Sequence, residues 1–202
     1  YAGMVDAVSH SDAVGQVISG VYQNKFGITP SSAQITAWED YFAQGAGYTT
    51  LVQGVTSGIE AAQQITLCYQ NETGITPSQA QIEAWEQYLG GVANYALMVS
   101  VLGHSVESHT MVSQAYSSML DVTATANVIS AWQDMFSSGT TYADFIHVIS
   151  HGLEAQQMIY AEYQSVFSRD PTSTELTAAE SLLETGMSST DLKTTIAAHS
   201  RS

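Results

Sequence analysis

Residues 22–38 read YQNKFGITPSSAQITAW, and 47 residues later the chain returns to a closely similar sequence, YQNETGITPSQAQIEAW at residues 69–85. The similarity extends on both sides of this stretch. Residues 14–60 and 61–107 align without a gap and share 21 identities in 47 positions. An internal period of this length indicates stacked helical units that share one apolar core.

Single residues mark the same period through the whole chain. The recurring residues are a tyrosine (Tyr22, Tyr69, Tyr116, Tyr163), a tryptophan (Trp38, Trp85, Trp132) and a glutamate (Glu60, Glu107, Glu154). The fourth copy has Ala179 at the tryptophan position. The period predicts four units, residues 14–60, 61–107, 108–154 and 155–201, preceded by residues 1–13, which match the third helix of a unit. We expect one continuous domain that is a piece of a longer array or begins with a capping helix.

Each unit has the pattern of three short helices. In the first unit, Val17, Ile18, Val21, Tyr22 and Phe26 form one apolar stripe. Thr29 followed by Pro30 predicts the N-terminus of the second helix, which carries Ile35, Trp38, Tyr41 and Phe42 on one face. After a glycine-containing loop, Tyr48, Leu51, Val52, Val55 and Ile59 predict the third helix. We expect this helix to run on, or to bend, into the first helix of the next unit.

Composition excludes several functions. The chain has 4 Lys and Arg against 19 Asp and Glu, a net charge of −15, so it would repel nucleic acid. No apolar run is long enough to span a bilayer, which argues against membrane insertion. The single cysteine, Cys68, cannot form an internal disulfide. The sequence shows no signal-peptide pattern, and no arrangement of residues predicts a catalytic site.

The segment FSRDPT at residues 167–172, followed by Glu175 and Leu176, resembles a bacterial domain. This is the helical domain of unknown function that is repeated in secreted RTX-type and S-layer-like proteins. Its proline-containing turn is matched by FGITP at residues 26–30 and by TGITP at residues 73–77, although its arginine is present only as Arg169. The resemblance implies an extracellular or cell-surface setting and no enzymatic activity.

Histidines are the most suggestive polar residues. His147 and His151 are four residues apart, and Glu154 follows three residues later, so a continuous helix would place all three on one face. Two imidazoles and a carboxylate could bind Zn²⁺. The alternative is that these side chains flank the apolar stripe and face solvent or a neighbouring unit. His10 and His104 are equivalent to His151, but the first copy has Ser57 at this position and the second lacks the partner of His147, which favours the structural interpretation.

Aromatic residues offer a different kind of site. The tryptophans share a face with apolar residues, which predicts that they are buried. Tyr48, Tyr95 and Tyr142 each open a third helix beside a glycine-rich loop, so they are the candidates for carbohydrate binding. The glutamates recur only once per unit, and this spacing favours a structural role at each unit junction over paired catalysis.

The sequence therefore predicts an all-α, solenoid-like tandem array of 47-residue three-helix repeats. We expect it to act as a non-catalytic structural or adhesive module of a secreted or cell-surface, S-layer-like bacterial protein. Expected partners are further copies of the chain or other repeats of the parent protein. The alternative is a carbohydrate-binding module that anchors to surface polysaccharide, and a metal-dependent enzyme is the least favoured function. No cofactor is expected.

Overall fold

The computed structural model describes residues 2–199, and for residues 2, 5 and 6 it describes the backbone only. Within this range the chain forms thirteen α-helices and no β-strand, so the all-α prediction is confirmed. The helices are α1 (Ala2–Ser9), α2 (Asp12–Phe26), α3 (Ser32–Ala43), α4 (Tyr48–Val55), α5 (Ile59–Thr73), α6 (Gln79–Gly90), α7 (Tyr95–Gly103), α8 (Val106–Leu120), α9 (Ala126–Ser137), α10 (Tyr142–Ser150), α11 (Leu153–Phe167), α12 (Ser173–Glu184) and α13 (Ser189–Ala198). Tyr1, predicted to open the first helix, lies outside the described residues.

Helix boundaries follow the period of the sequence. Helices α2, α5, α8 and α11 each span 15 residues and begin 47 residues apart. Helices α3, α6, α9 and α12 each span 12 residues at the same step. Helices α4, α7, α10 and α13 are shorter, at 8 to 10 residues, and also begin 47 residues apart.

The predicted start of the second helix was two residues too early. Helix α3 is capped by Ser31, not by Thr29, and the Ser31 hydroxyl accepts a hydrogen bond from the backbone N–H of Gln34. The Gln34 side chain in turn accepts from the Ser31 N–H at 2.7 Å. This capping box satisfies two N–H groups that a single Thr29 cap would leave open. Pro30 lies buried just before the cap.

The predicted continuity between the third helix and the next first helix was wrong. Helix α4 ends at Val55, and α5 begins at Ile59 after a short turn. Gly58 adopts a left-handed conformation with φ of 89°, which side chains rarely tolerate and which interrupts the helix. Ile59, predicted to continue the apolar stripe of α4, therefore begins a new helix with 82% of its surface exposed.

The chain divides into two compact units. Within the described part, the first comprises residues 2–69 and 76–99, and the second comprises residues 70–75 and 100–199. The largest fully buried side chains of the first unit are Ile18, Leu51, Ile65, Leu89 and Met98. Those of the second unit are Phe136, Phe145, Val112, Ile159, Leu183 and Leu192. Each unit thus has an apolar core of aliphatic and aromatic side chains.

A tryptophan–tyrosine hydrogen bond recurs at the period. The indole N–H donates to the tyrosine hydroxyl in the pairs Trp38–Tyr22 at 3.3 Å, Trp85–Tyr69 at 3.1 Å and Trp132–Tyr116 at 3.2 Å. The predicted burial is confirmed for Trp85 and Trp132, which are each 8% exposed, whereas Trp38 is half-buried. In each pair the bond joins a 15-residue helix to the 12-residue helix that follows it: α2 to α3, α5 to α6 and α8 to α9.

Candidate metal centre

Two histidines and one glutamate converge in the second compact unit. His147 lies on the last turn of α10 and His151 is its C-cap residue, so their rings are neighbours along the helix, with centroids 4.5 Å apart and planes tilted by 39°. Glu184, the last residue of α12, places one carboxylate oxygen 2.8 Å from His147 Nδ1. Its other oxygen lies 3.9 Å from His151 Nε2. One potential ligand atom from each residue lies within 4.8 Å of the other two.

The third residue of this group is Glu184 and not the predicted Glu154. The prediction assumed one helix through residues 147–154, but α10 ends at Ser150 and α11 begins at Leu153. This break turns Glu154 away from the face of the histidines and leaves it exposed in the first turn of α11. Glu184 has no sequence signal, because it is 37 residues from His147 and reaches it only through the packing of α12 on α10.

Hydrogen bonding to the backbone prepares His151 for a metal. Its Nδ1 lies 2.9 Å from the backbone carbonyl of His147, an acceptor that only a protonated nitrogen can bond. When Nδ1 donates in this hydrogen bond, the lone pair of the ring lies on Nε2, the nitrogen that faces Glu184. Such a backbone contact on the non-ligating nitrogen is the usual support of a metal-binding histidine. This arrangement leaves Nε2, on the side of Glu184, as the ring nitrogen available to a metal.

The three side chains could hold Zn²⁺ with water completing a tetrahedron. Ligand atoms in such a site are roughly 3.4 Å apart when metal–ligand bonds are about 2.1 Å long. The separations here, up to 4.8 Å, are therefore slightly too wide. His147 and Glu184 are exposed, so small rotations of their side chains can close the difference.

Two other histidines form simpler ion pairs. His10 Nε2 lies 3.2 Å from Asp40 in the first unit, and His104 Nε2 lies 3.0 Å from Asp134 in the second. The hydrogen bond to Asp134 raises the pKa of His104. In both pairs the acid is 30 residues after the histidine and lies on a 12-residue helix. Without metal, the contact between His147 and Glu184 is of the same kind, since it also joins a histidine to an acid on a 12-residue helix.

The three predicted carbohydrate-binding tyrosines occupy different environments. The Tyr48 ring is 61% exposed, as expected for a sugar-stacking residue. Tyr95 and Tyr142 are half-buried, because their rings lie against the turn glycines Gly27 and Gly74. Their aromatic faces are therefore partly used in packing, whereas that of Tyr48 is accessible.

Two tyrosines at one recurring position of the 12-residue helices are exposed. Tyr41 was predicted on the apolar face of the second helix, but 55% of its surface is accessible. Its counterpart Tyr88 is 66% exposed. Both lie near a recurring tryptophan, with ring centroids 5.5 Å from Trp38 and 6.0 Å from Trp85 respectively. The signal for their exposure was their position at the end of the 12-residue helix, next to the glycine loop.

Function has to be inferred from these residues, since comparison with protein-family models, with curated proteins and with solved structures gives no match. Among the described residues, none of the helices has the length and apolar character needed to cross a bilayer. The set with the geometry of a metal site, within the same range, is His147, His151 and Glu184.

We expect the protein to bind one Zn²⁺ per chain, measured by calorimetric titration at neutral pH. Replacing His151 by glutamine should weaken binding at least roughly 10–100-fold, because it removes a ligand and not merely its support. His104→Gln is the matched control, since it breaks a histidine–carboxylate pair without touching the site. Equal binding by the His151 and His104 variants would contradict the assignment.

Proposed function

We propose that the chain is a non-catalytic structural module in which 47-residue units of three helices form a tandem, solenoid-like array. The observation that carries this proposal is the recurrence of both the helix boundaries and the tryptophan–tyrosine hydrogen bond at one step. Repeat arrays of this kind serve as extended scaffolds, because each unit adds the same surface again.

The uses of the recurring polar residues support a structural role. The recurring tyrosine hydroxyls accept the tryptophan N–H, and Ser31, Ser78 and Thr172 complete capping boxes. Glu60 accepts a hydrogen bond from the Gln34 side chain, which ties α5 to α3. These groups are occupied in stabilising helices and helix contacts.

A secreted or cell-surface location is part of the proposal and rests on the resemblance of the turn at residues 167–172. In the structure, the arginine of that turn has a defined role. Arg169 donates through both terminal nitrogens to the two carboxylate oxygens of Glu175, at 2.8 and 2.7 Å. Glu175 also accepts from the backbone N–H of Thr172, the N-cap of α12. The resembling segment is therefore a capped turn, which is compatible with the structural family it suggests.

Exposed apolar residues at one recurring position support self-association. Ile59, Val106 and Leu153 are the first residues of α5, α8 and α11, and they are 82%, 78% and 66% exposed. Covering a large apolar side chain with a partner removes its surface from water, which is energetically favourable. Their repetition at one position of each period suits contact with further copies of the chain or with other repeats of the parent protein.

Replacing Ile59, Val106 and Leu153 together by serine should reduce self-association without lowering the melting temperature. The substituted side chains contribute little to the folded monomer because they are exposed. Association should be measured by sedimentation at increasing protein concentration, with electron microscopy to detect ordered assemblies. Because the net charge of −15 opposes contact between copies, added salt should promote assembly of the unmodified chain. Monomers alone at high concentration and high salt would contradict this role.

Surface polysaccharide is the second candidate partner. The exposed rings of Tyr41, Tyr48 and Tyr88 are the observation that favours it. Aromatic faces can cover the apolar faces of sugar rings. Because only 11% of the residues are charged, hydroxyl and amide side chains are available for the sugar hydroxyls. The predicted set changes, since Tyr95 and Tyr142 are partly occupied in packing while Tyr41 and Tyr88 are available.

A further inference from the structure

The fourth copy of the period has an aromatic-sized gap in place of its tryptophan. Ala179 occupies the position of Trp38, Trp85 and Trp132, and it is 3% exposed. Beside it lies a half-open cavity of about 230 Å³ in the second compact unit. The residues that line it include Tyr163, Phe167, Ala179, Leu182, Leu192 and Thr195.

Contacts of Trp132 locate this cavity at the missing indole. Trp132 meets Phe145 in an edge-to-face arrangement with centroids 4.7 Å apart. One period later, the counterpart of Phe145 is Leu192, and Leu192 lines the cavity together with Ala179. The cavity thus lies between Ala179 and Leu192, the two positions that the rings of Trp132 and Phe145 occupy 47 residues earlier.

The environment of Trp38 gives a second, independent location. Its six-membered ring lies so close to Gly54 that a Cβ built there would be 2.4 Å from a ring carbon. The counterpart of Gly54 in the fourth copy is Thr195, which also lines the cavity.

One polar group in the cavity is ready to accept a hydrogen bond. Tyr163 corresponds to Tyr22, Tyr69 and Tyr116, whose hydroxyls each accept a tryptophan N–H. Tyr163 is 8% exposed and lines the cavity. Within residues 2–199, none of the hydrogen bonds of the structure involves its hydroxyl. The acceptor of the recurring bond is therefore present, while the donor is missing.

We propose that this cavity binds a small planar aromatic molecule with a ring N–H, of the indole class. The molecule would take the place of the missing tryptophan side chain and donate its N–H to Tyr163. The volume suffices, since a protein cavity of about 150 Å³ already binds benzene. The lining is mainly apolar, which favours an aromatic ring over water. This site goes beyond the proposed scaffold function and does not depend on it.

Calorimetric titration of the full chain with indole and with 1-methylindole tests the proposal. We expect indole to bind once per chain, and 1-methylindole to bind roughly 2- to 10-fold more weakly because it lacks one neutral hydrogen bond. Ala179→Trp should abolish binding of both, since it restores the side chain of the other copies. Ala143→Trp, at an exposed position of α10, is the matched control and should bind indole normally.

A second variant keeps the test decisive if Ala179→Trp does not fold. Tyr163→Phe preserves the ring and removes only the acceptor. It should bind indole and 1-methylindole with equal affinity. Absence of saturable indole binding up to about 1 mM would overturn the proposal. So would unchanged binding by folded Ala179→Trp, or an unchanged preference for indole in Tyr163→Phe.

Discussion

Replacing Trp132 by alanine is expected to lower the free energy of unfolding of the second compact unit by about 3–5 kcal/mol. The side chain is 8% exposed and lies within the aromatic cluster of that unit. Its ring contacts Phe145 edge-to-face at 4.7 Å and stacks on Phe136 at 6.0 Å. The substitution also removes the only donor to the Tyr116 hydroxyl that the described residues provide. Loss of packing and of the hydrogen bond therefore act in the same direction.

Urea unfolding followed by helical circular dichroism measures this effect. Trp132→Phe is the control, because it keeps an aromatic ring but removes the N–H donor, and it should cost clearly less than Trp132→Ala. If unfolding shows more than one transition, that of the second unit has to be resolved before a free energy is assigned. A loss below about 1 kcal/mol for Trp132→Ala would contradict the structural role given to the recurring tryptophan.

Much of the fold could be predicted from sequence because its determinants are local and repeated. Helix type followed from apolar residues spaced for one helical face, and the repetition of Tyr22 and Trp38 at 47 residues fixed the order of the helices. The burial of Trp85 and Trp132 followed from the same spacing. Periodic hydrophobicity is informative in this chain because so few charged residues interrupt it.

Predictions failed where the outcome depends on single turns. Gly58 was not recognised as the end of a helix, although its left-handed conformation separates α4 from α5. The cap of α3 was placed at Thr29 because Thr-Pro is a good start signal, yet Ser31 and Gln34 together satisfy more backbone N–H groups. Competition between two acceptable start signals is decided by such pairs of hydrogen bonds.

The candidate site was half predictable. His147 and His151 were identified because their spacing is local, and the structure places their rings together. Glu184 could not be identified, since its approach depends on the packing of two helices separated by 37 residues of chain from His147. Glu154 was predicted as the third ligand on the assumption of a continuous helix, and the break at Gly152 separates it from the two histidines.

Stability of the protein is expected to fall as the pH rises from about 4.5 to about 7, because of Glu72. This side chain is 3% exposed, and its Oε2 atom has no hydrogen-bond partner within residues 2–199. Burial raises the pKa of the carboxyl from 4.5 to about 7. The folded state therefore holds the proton more tightly than the unfolded state. Below pH 4.5 both states are protonated and Glu72 imposes no penalty, whereas above about 7 the folded state must bury a charge.

Comparison with the other copies shows that the cost of burying a charge arises from Glu72 itself and not from its position in the repeat. The preceding copy has Lys25, which is also buried but donates to the carbonyl oxygens of Gly91 at 3.0 Å and Ala93 at 2.8 Å. The following copy has Met119, which is 4% exposed and needs no polar partner. The buried Lys25 has hydrogen-bond acceptors and the buried Met119 has no polar group, whereas an ionised Glu72 would bury a charge with an unpaired oxygen.

Glu72→Gln should therefore stabilise the protein at alkaline pH and leave it nearly unchanged in mild acid. The rise in pKa from 4.5 to about 7 corresponds to about 3 kcal/mol above pH 8, at about 1.4 kcal/mol per pKa unit. Urea unfolding at about pH 5 and pH 9 of both proteins measures the difference. Glu72→Met introduces the residue found at the equivalent position 119. It should reduce the pH dependence of the free energy of unfolding equally, and it adds no amide that needs hydrogen-bond partners. Because Glu175 and the other carboxylates titrate in all these proteins, a pH dependence that persists unchanged in both variants would assign it to those groups and not to Glu72.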